Sequence, residues 1–327
     1  MISLKAARAR EPQARDGSIM SQIVTLTLNP AVDVSTAVAR LEPTVKLRCG
    51  PERRDAGGGG INVARVARRL GAEVTAIHPA GGAVGRQLET LLAAEQIAGR
   101  AVRIAGETRE SFTVLETTTD REYRFVLPGP HLDTAEWAAC LEAVPPAALT
   151  VASGSLPPGV PPDAFARLAL RARAAGGRLA VDTSGHPLRR ALEAGVWLAK
   201  PNLRELRDLT GEALDTGQAR LAAARRIVDV GGARMVALSL GAEGALLVSP
   251  DGAWGAPALP VRPVSSVGAG DSFLGALVWA LAGGRAPAEA LRWAMAAGSA
   301  ALLAPGTQLC AADDVRRLAP SVEVRPL

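Results

Sequence analysis

Short runs of β-branched and aliphatic residues recur along the chain, each separated from the next by a stretch with helical periodicity. This alternation limits the fold more than any other feature. Ile23–Leu28 (IVTLTL), Val74–Ile77, Leu149–Ala152, Leu179–Asp182, Val196–Ala199, Val236–Leu240 and Ala245–Val248 read as strands. The spacing of apolar residues predicts helices over about 61–70, 86–95, 161–175, 203–209 and 218–230, then Asp271–Leu281, Pro287–Leu303 and Ala312–Leu318 in the C-terminal third. Strand–helix–strand repetition is closed by right-handed crossovers, which gives an α/β fold with a mostly parallel sheet and helices on both faces. With 327 residues, 48% of them hydrophobic, the chain has the apolar mass for one large domain of this kind.

One stretch departs from the rhythm. Ser111–Glu116 and Arg121–Leu127 are strand-like runs joined by Thr-Thr-Thr-Asp, a hairpin in place of a βαβ unit. Residues 33–50 also lack a helical period. Together these segments, about 33–52 and 103–128, predict a small β-flap standing off the main sheet. Its outer face would need covering by a ligand or a second subunit. Residues 1–22 show no periodicity and read as a disordered extension, with Met20 a plausible alternative start. The 37 Lys+Arg and 32 Asp+Glu give a net charge of +5, of which +2 sits in that extension. The excess is therefore not the clustered basic face of a nucleic-acid binder. No apolar run approaches the ~18 residues of a membrane span. Cys49, Cys140 and Cys310 have no metal-binding spacing, and so sparse a set suits reduced thiols in a cytoplasmic protein.

Arginine outnumbers lysine 34 to 3, so the rare residues are informative: beyond Lys5, both lysines and all three asparagines (Asn29, Asn62, Asn202) lie in or beside Gly- or Pro-marked segments. In Ser265-Ser266-Val267-Gly268-Ala269-Gly270-Asp271, a Gly-Ala-Gly turn opens an apolar helix. Such a turn lets backbone N–H groups converge beside the positive end of the helix, which makes an anion hole. Asp271 sits beside that hole either as an N-terminal acid of the helix or as a proton acceptor. Gly57-Gly58-Gly59-Gly60-Ile61-Asn62 opens a second helix, where a polar ligand could lie against backbone and Asn62 could bind hydroxyls. Neither segment fits the dinucleotide G-x-G-x-x-G pattern, and no G-x-x-x-x-G-K-[ST] occurs. Lys200-Pro201-Asn202-Leu203-Arg204-Glu205 follows a strand; Asn202 and Glu205 share a helix face and also have capping-box spacing. Ser239–Gly244 (SLGAEG) and Ser153–Gly159 (SGSLPPG) are turns at strand ends, where open α/β sheets bind ligands. His78, His131 and His186 share no metal spacing, and the five tryptophans read as packing.

Taken in order, Asn29-Pro30-Ala31-Val32-Asp33, GGGGINVAR at 57–65, SGSLPPG at 153–159, KPNLRE at 200–205, SLGAEG at 239–244 and VGAGDSF at 267–273 resemble the ribokinase-like (PfkB-type) family of carbohydrate kinases over about residues 23–318. KLRC at 46–49, YRFVLPG at 123–129 and GTQLC at 306–310 resemble its members that act on fructose 6-phosphate. The resemblance implies a ribokinase-like three-layer α/β/α sandwich over 23–320 with a small β-sheet flap. It implies transfer of the γ-phosphoryl of MgATP to the 1-hydroxyl of fructose 6-phosphate. It assigns Asp271 as general base, with Gly268, Ala269 and Gly270 as the anion hole. It places Asp33, Gly58, Asn62 and Ser153 on the sugar, and Lys46 and Arg109 on its phosphate, with Arg48 and Arg124 as further cations. Lys200, Asn202, Ser239, Gly241 and Gly244 fall to the nucleotide, and Glu205 with Asn202 to Mg2+ through water. Ser265, Val267, Ala301, Ala304 and Gly306 form a candidate K+ site, beside which Gln308 replaces the arginine of the family pattern. The resemblance also implies a homodimer through the flap. Tagatose 6-phosphate and fructose 1-phosphate remain alternative acceptors. A nucleotide-binding dehydrogenase is the rival from another class, disfavoured by the failed glycine patterns.

Overall fold

The computed structural model describes residues 22–146 and 148–327, so the expected N-terminal extension lies outside the described residues except for Gln22. The chain begins with β1 (Ile23–Leu26), β2 (Ala31–Val38) and β3 (Arg53–Gly57). There follow α1 (Gly59–Arg69), β4 (Val74–Ala80), α2 (Gly82–Ala94), β5 (Ala98–Arg103) and the hairpin β6 (Arg109–Glu116) and β7 (Arg121–Val126). The middle holds α3 (Thr134–Glu142), β8 (Leu149–Ser153), α4 (Ala164–Ala174), β9 (Arg178–Asp182), α5 (Gly185–Ala194) and β10 (Val196–Ala199). The last part holds α6 (Leu203–Thr210), α7 (Gly217–Asp229), β11 (Ala233–Ser239), β12 (Ala245–Ser249), β13 (Gly252–Ala256), α8 (Ala269–Ala282), α9 (Pro287–Ala301), α10 (Ala312–Leu318) and β14 (Arg325–Pro326).

Ten strands form one sheet in the order β14-β13-β12-β11-β10-β9-β8-β1-β4-β5. The run from β11 to β5 is parallel throughout, and β12, β13 and β14 continue it antiparallel. Its central strands are buried on both faces, which is why they read as continuous apolar runs and not as alternating ones. One face packs against α1, α2, α8, α9 and α10 through residues such as Ile61, Leu88, Leu277, Leu291 and Val315. The other packs against α3, α4, α5 and α7 through Trp137, Phe165, Ala191 and Val228. This is the expected three-layer α/β/α sandwich.

Four strands form the small separate sheet, in the order β3-β2-β6-β7. Residues 31–38 are a full strand, pairing in parallel with β6 over eight registers, so only part of the 33–50 span is irregular. Helix α2 starts four residues earlier than the spacing predicts because Gly82, at φ +66, can turn the chain into it. No helix among the described residues is long and apolar enough to cross a membrane.

Candidate active site

The strand order reverses direction at β1, which has β4 on one side and β8 on the other. Ligands of open α/β sheets bind in the crevice that such a reversal opens at the carboxyl ends of the strands. Here that edge collects Asn29 after β1, Ser153 at the end of β8, Asp182 at the end of β9, Lys200 after β10 and Ser239 at the end of β11.

The four-glycine segment lays the start of α1 directly on this edge. Gly58 has φ +106, and a Cβ there would stand 2.7 Å from the Thr27 methyl. A Cβ on Gly60 would stand 2.7 Å from the Leu26 carbonyl oxygen, and one on Gly59 would collide with Ser153 Oγ. Only glycine permits so close an approach of helix to sheet. One turn on, Asn62 Nδ2 donates to Asp271 Oδ2 at 2.8 Å. Asn62 Oδ1 is buried with no partner among the described residues, a vacant acceptor beside the carboxylate.

Asp271 lies in the first turn of α8, whose N-cap is Gly268 in the left-handed region at φ +73. Burial raises its carboxyl to about 6; Asp182 pushes the same way, while Asn62 and Lys200 oppose it. Lys200 is 5% exposed and pairs with Asp182 at 3.1 Å. Burial pulls its ammonium down, but Asp182, Asp271 and Glu205 together leave it above the usual range. A Cβ on Gly270 would come within 3.7 Å of Lys200 Nζ, so the ammonium faces the Gly-Ala-Gly turn. Asp182 also accepts weakly from Ser153 Oγ at 3.4 Å. Sequence reading placed Asp182 at a strand end without assigning it a role. The signal was a carboxylate closing one of a series of parallel strands.

Asn202 and Glu205 form a complete capping box on α6: Glu205 N donates to Asn202 Oδ1, and Asn202 N donates to Glu205 Oε2, each at 2.9 Å. Burial raises the Glu205 carboxyl, and Asp182 adds to the effect. Asn202 also bridges in parallel to Ser239, joining this turn to the Gly241–Gly244 turn. Gly241 and Gly244 both have positive φ, and a side chain on Gly244 would strike the Ala256 carbonyl.

The small sheet brings Asp33 against the same site, for a Cβ on Gly57 would collide with its carboxylate. Burial raises Asp33 to about 6, against the pull of Arg124, Arg109 and Arg65. Arg109 is committed to main chain: it donates to the carbonyls of Leu127 (2.8 Å), Asn29 (3.0 Å) and Pro30 (3.4 Å). Lys46 lies in the irregular span between β2 and β3, exposed, with no ion pair or side-chain hydrogen bond among the described residues. Arg48 and Arg124 are exposed too. The structure thus brings Asp33, Gly58, Asn62, Ser153, Lys200 and Asp271 together, and it shows no contact of Lys46 with them.

Around the candidate cation loop, Ser265 Oγ donates to Glu122 of β7 at 2.8 Å and accepts from Val267 N at 3.1 Å. The Ala301 carbonyl accepts from Ala304 N at 3.1 Å, and Gly306 turns at φ +54 beside Ser35. Sequence reading missed the buried guanidinium of Arg65, which is 0% exposed. It pairs with Glu95 (2.7 Å) and Asp55 (3.3 Å) and reaches the carbonyls of Ala56 and Thr307. Arg65 ties α1 to β3 and to the segment that follows α9.

A Gly-Ala-Gly turn at a helix N-terminus, with a carboxylate raised to about 6 beside it, suits an enzyme that moves an anionic group onto a hydroxyl. Residues 23–314 match the model of the pfkB family of carbohydrate kinases, and the chain belongs to that family of sugar-phosphorylating phosphotransferases. It is 46% identical over 311 residues, 94% of this chain and 91% of the relative, to the ATP-dependent 6-phosphofructokinase isozyme 2 of Mycobacterium tuberculosis. It is 38% identical, over 80% of this chain and 84% of the relative, to a 1-phosphofructokinase of Xanthomonas campestris. The phosphofructokinase-2 of Escherichia coli, solved in complex with potassium, superposes with a TM-score of 0.89 at 40% identity, covering 92% of this chain and 99% of that one.

Proposed function

We propose that the chain transfers the γ-phosphoryl of ATP to the 1-hydroxyl of fructose 6-phosphate. The observation that carries this reading is the Asn62–Asp271 pair at the mouth of the Gly268–Gly270 turn. Asp271 takes the hydroxyl proton, and Asn62 Nδ2 fixes which carboxylate oxygen faces it. A base held near neutrality by burial is suited to that step. The N–H groups of Gly268, Ala269 and Gly270 hold the charge that develops on the transferring group, a role worth about 3–4 kcal/mol per donor in comparable sites. Asp33, Gly58, the vacant Asn62 Oδ1 and Ser153 orient the sugar hydroxyls.

Lys200, Asn202, Ser239, Gly241 and Gly244 hold the nucleotide. Asp182 raises the carboxyls of both Glu205 and Asp271, and all three sustain the Lys200 ammonium, but no three acids among the described residues stand close enough to chelate a bare ion. Mg2+ carried in with the nucleotide would neutralise phosphate charge. Glu205 and Asn202 would hold it through water, since their mutual hydrogen bonds leave each with one free polar atom and Mg2+ gives up its water reluctantly. Main-chain oxygens around Ser265, Val267, Ala301, Ala304 and Gly306 are candidate K+ ligands, with Gln308 in place of the arginine of the family pattern.

Lys46 holds the 6-phosphate as a compact point charge, with Arg48 and Arg124 as further cations. Arg109, bound to three carbonyls, acts on the phosphate by shaping the turn after β1. The small sheet is the dimer surface: Phe125, Val126 and Leu127 stand 45–58% exposed along its edge strand and beyond. The protein works in the cytoplasm.

An ADP-release assay over fructose 6-phosphate, fructose 1-phosphate, tagatose 6-phosphate and fructose tests the reading. The highest kcat/KM should fall to fructose 6-phosphate. Preference for fructose 1-phosphate or tagatose 6-phosphate would move the acceptor and keep the phosphotransfer; no ADP release with any of them would refute both.

A further inference from the structure

Leu309 occupies a conformation that leucine disfavours. Its φ is +62, in the left-handed region, yet it is 2% exposed. Leucine persists there only when its surroundings impose it. Its side chain explains the use: Leu309 Cδ2 fills the space that a Cβ on Gly268 would need. Two left-handed residues therefore stand back to back, Gly268 at the N-cap of α8 and Leu309 pressed beneath it.

Arg69, the last residue of α1, brackets the turn. Its Nη1 donates to the carbonyl of Gln308 at 2.6 Å and to that of Cys310 at 3.1 Å, on either side of Leu309. Its Nη2 donates to Glu95 Oε2 at 3.0 Å, and Glu95 also pairs with the buried Arg65. The guanidinium is thus anchored before it reaches the turn. On its outer side the turn borders a cleft of about 480 Å3 that Arg53, Pro305 and Asp314 help to line, so the turn has room to relax outward once the bracket is lost.

We propose that Arg69 is a positioning residue for phosphoryl transfer: by bracketing the Gln308 and Cys310 carbonyls it keeps Leu309 left-handed against Gly268 and so fixes the anion-hole N–H groups. The proposal rests on the reading of that turn as the anion hole. Donors of this kind act only when preorganised, and a displacement of about 1 Å costs on the order of 100-fold in rate.

The test is Arg69→Met, which keeps an unbranched apolar stem and removes the donors, with Asp271→Asn assayed in parallel. Arg69→Met should lower kcat by about 10-fold or more with the KM values for ATP and fructose 6-phosphate within threefold. Amide hydrogen exchange should rise over residues 265–271 and stay unchanged in the central strands. Leu309→Ala should reproduce both effects, and the double variant should be no slower than the slower single one, since both act through one contact. Arg69→Lys, which keeps the charge and can still reach a carbonyl, should recover part of kcat, and it decides by the same criteria if Arg69→Met does not fold. The proposal is overturned by a kcat within twofold of wild type, by additive losses, or by exchange raised throughout the sheet. An inactive Asp271→Asn beside a fully active Arg69→Met sinks the positioning role alone. An active Asp271→Asn sinks the catalytic reading on which it stands.

Discussion

The floor of the cleft and the small sheet above it are built by opposite means. On the floor, the charges are largely enclosed and paired: Lys200 with Asp182, Asp271 with Asn62, Arg65 with Glu95 and Asp55. On the small sheet, Lys46, Arg48 and Arg124 stand exposed, and Phe125 and Val126 point their apolar faces outward from its edge strand. A paired, buried constellation has its geometry set before any ligand arrives. Exposed cations and uncovered apolar side chains gain partners only on binding. On the reading proposed above, the chemistry and the sugar hydroxyls fall to the floor, and the 6-phosphate and a second subunit fall to the small sheet and its loop.

The comparison breaks most readily at Asp271. Asp271→Asn should lower kcat at least ~100-fold while leaving MgATP binding by calorimetry nearly unchanged, because the base is lost and the hydrogen-bonded fold of the floor is kept. A variant that keeps a tenth of wild-type turnover would make the floor a scaffold only. In the wild type, with Asp271 raised to about 6, kcat should fall about tenfold per pH unit below that value and level off above it.

On the small sheet the effect should appear in affinity. Charge-assisted hydrogen bonds are worth about 1.5–3 kcal/mol, so Lys46→Ala should raise the KM for fructose 6-phosphate roughly 10- to 150-fold. The KM for ATP should move far less, and the poor turnover of unphosphorylated fructose should hardly change. Equal losses for ATP and sugar would erase the division between the two regions. Phe125→Glu should halve the sedimenting mass to that of one 33.6 kDa chain, while far-ultraviolet circular dichroism stays that of the wild type. An unchanged mass would free the edge strand of any dimer role.

The smallest expected effect sharpens the account of the floor. The Asp271 carboxyl titrates near 3.8 in the unfolded chain and about 6 in the folded one, so the folded state holds the proton more tightly. Its favourable contribution is whole below about 3.8 and is lost as pH rises through about 6, after which a buried charge is carried at a cost. Asp271→Asn removes that cost, and should raise Tm relative to wild type by roughly 2–4 °C more at pH 8 than at pH 5. The reverse order would mean that the carboxylate stabilises the floor.

Legibility in the sequence followed burial. The parallel strands were readable because burial on both faces makes them unbroken apolar runs. The strand of Ala98–Arg103 (AGRAVR) lies at the sheet edge with two arginines in it, and that of Arg53–Gly57 begins with two more, so neither carries an apolar run. Helix α3 announces itself by Asp133 and Glu136, a capping box that sequence reading passed over. In the site, what rests on backbone was legible: Gly58, Gly60 and Gly268 are required by close approach or by positive φ, and both are written in the residue type. What rests on packing was not. Asp182, Arg65, and Arg69 with Leu309 acquire their roles from neighbours far away in the chain, and no local spacing marks such pairs.

The sealed guanidinium of Arg65 has a consequence for the order of assembly. Its contact with the Thr307 carbonyl spans 242 residues, and the nearby Asn62–Asp271 bond spans 209. At about 5–20 residues per second of synthesis, α1 emerges from the ribosome roughly 10–50 s before the segment that completes its burial. Through that interval Arg65 stays in water or pairs only with its near neighbours Asp55 and Glu95. The central strands can collapse meanwhile, but the two glycine-started helices meet only when nearly the whole chain has been made. A nascent chain of this protein therefore gains a working cleft only near the end of its synthesis.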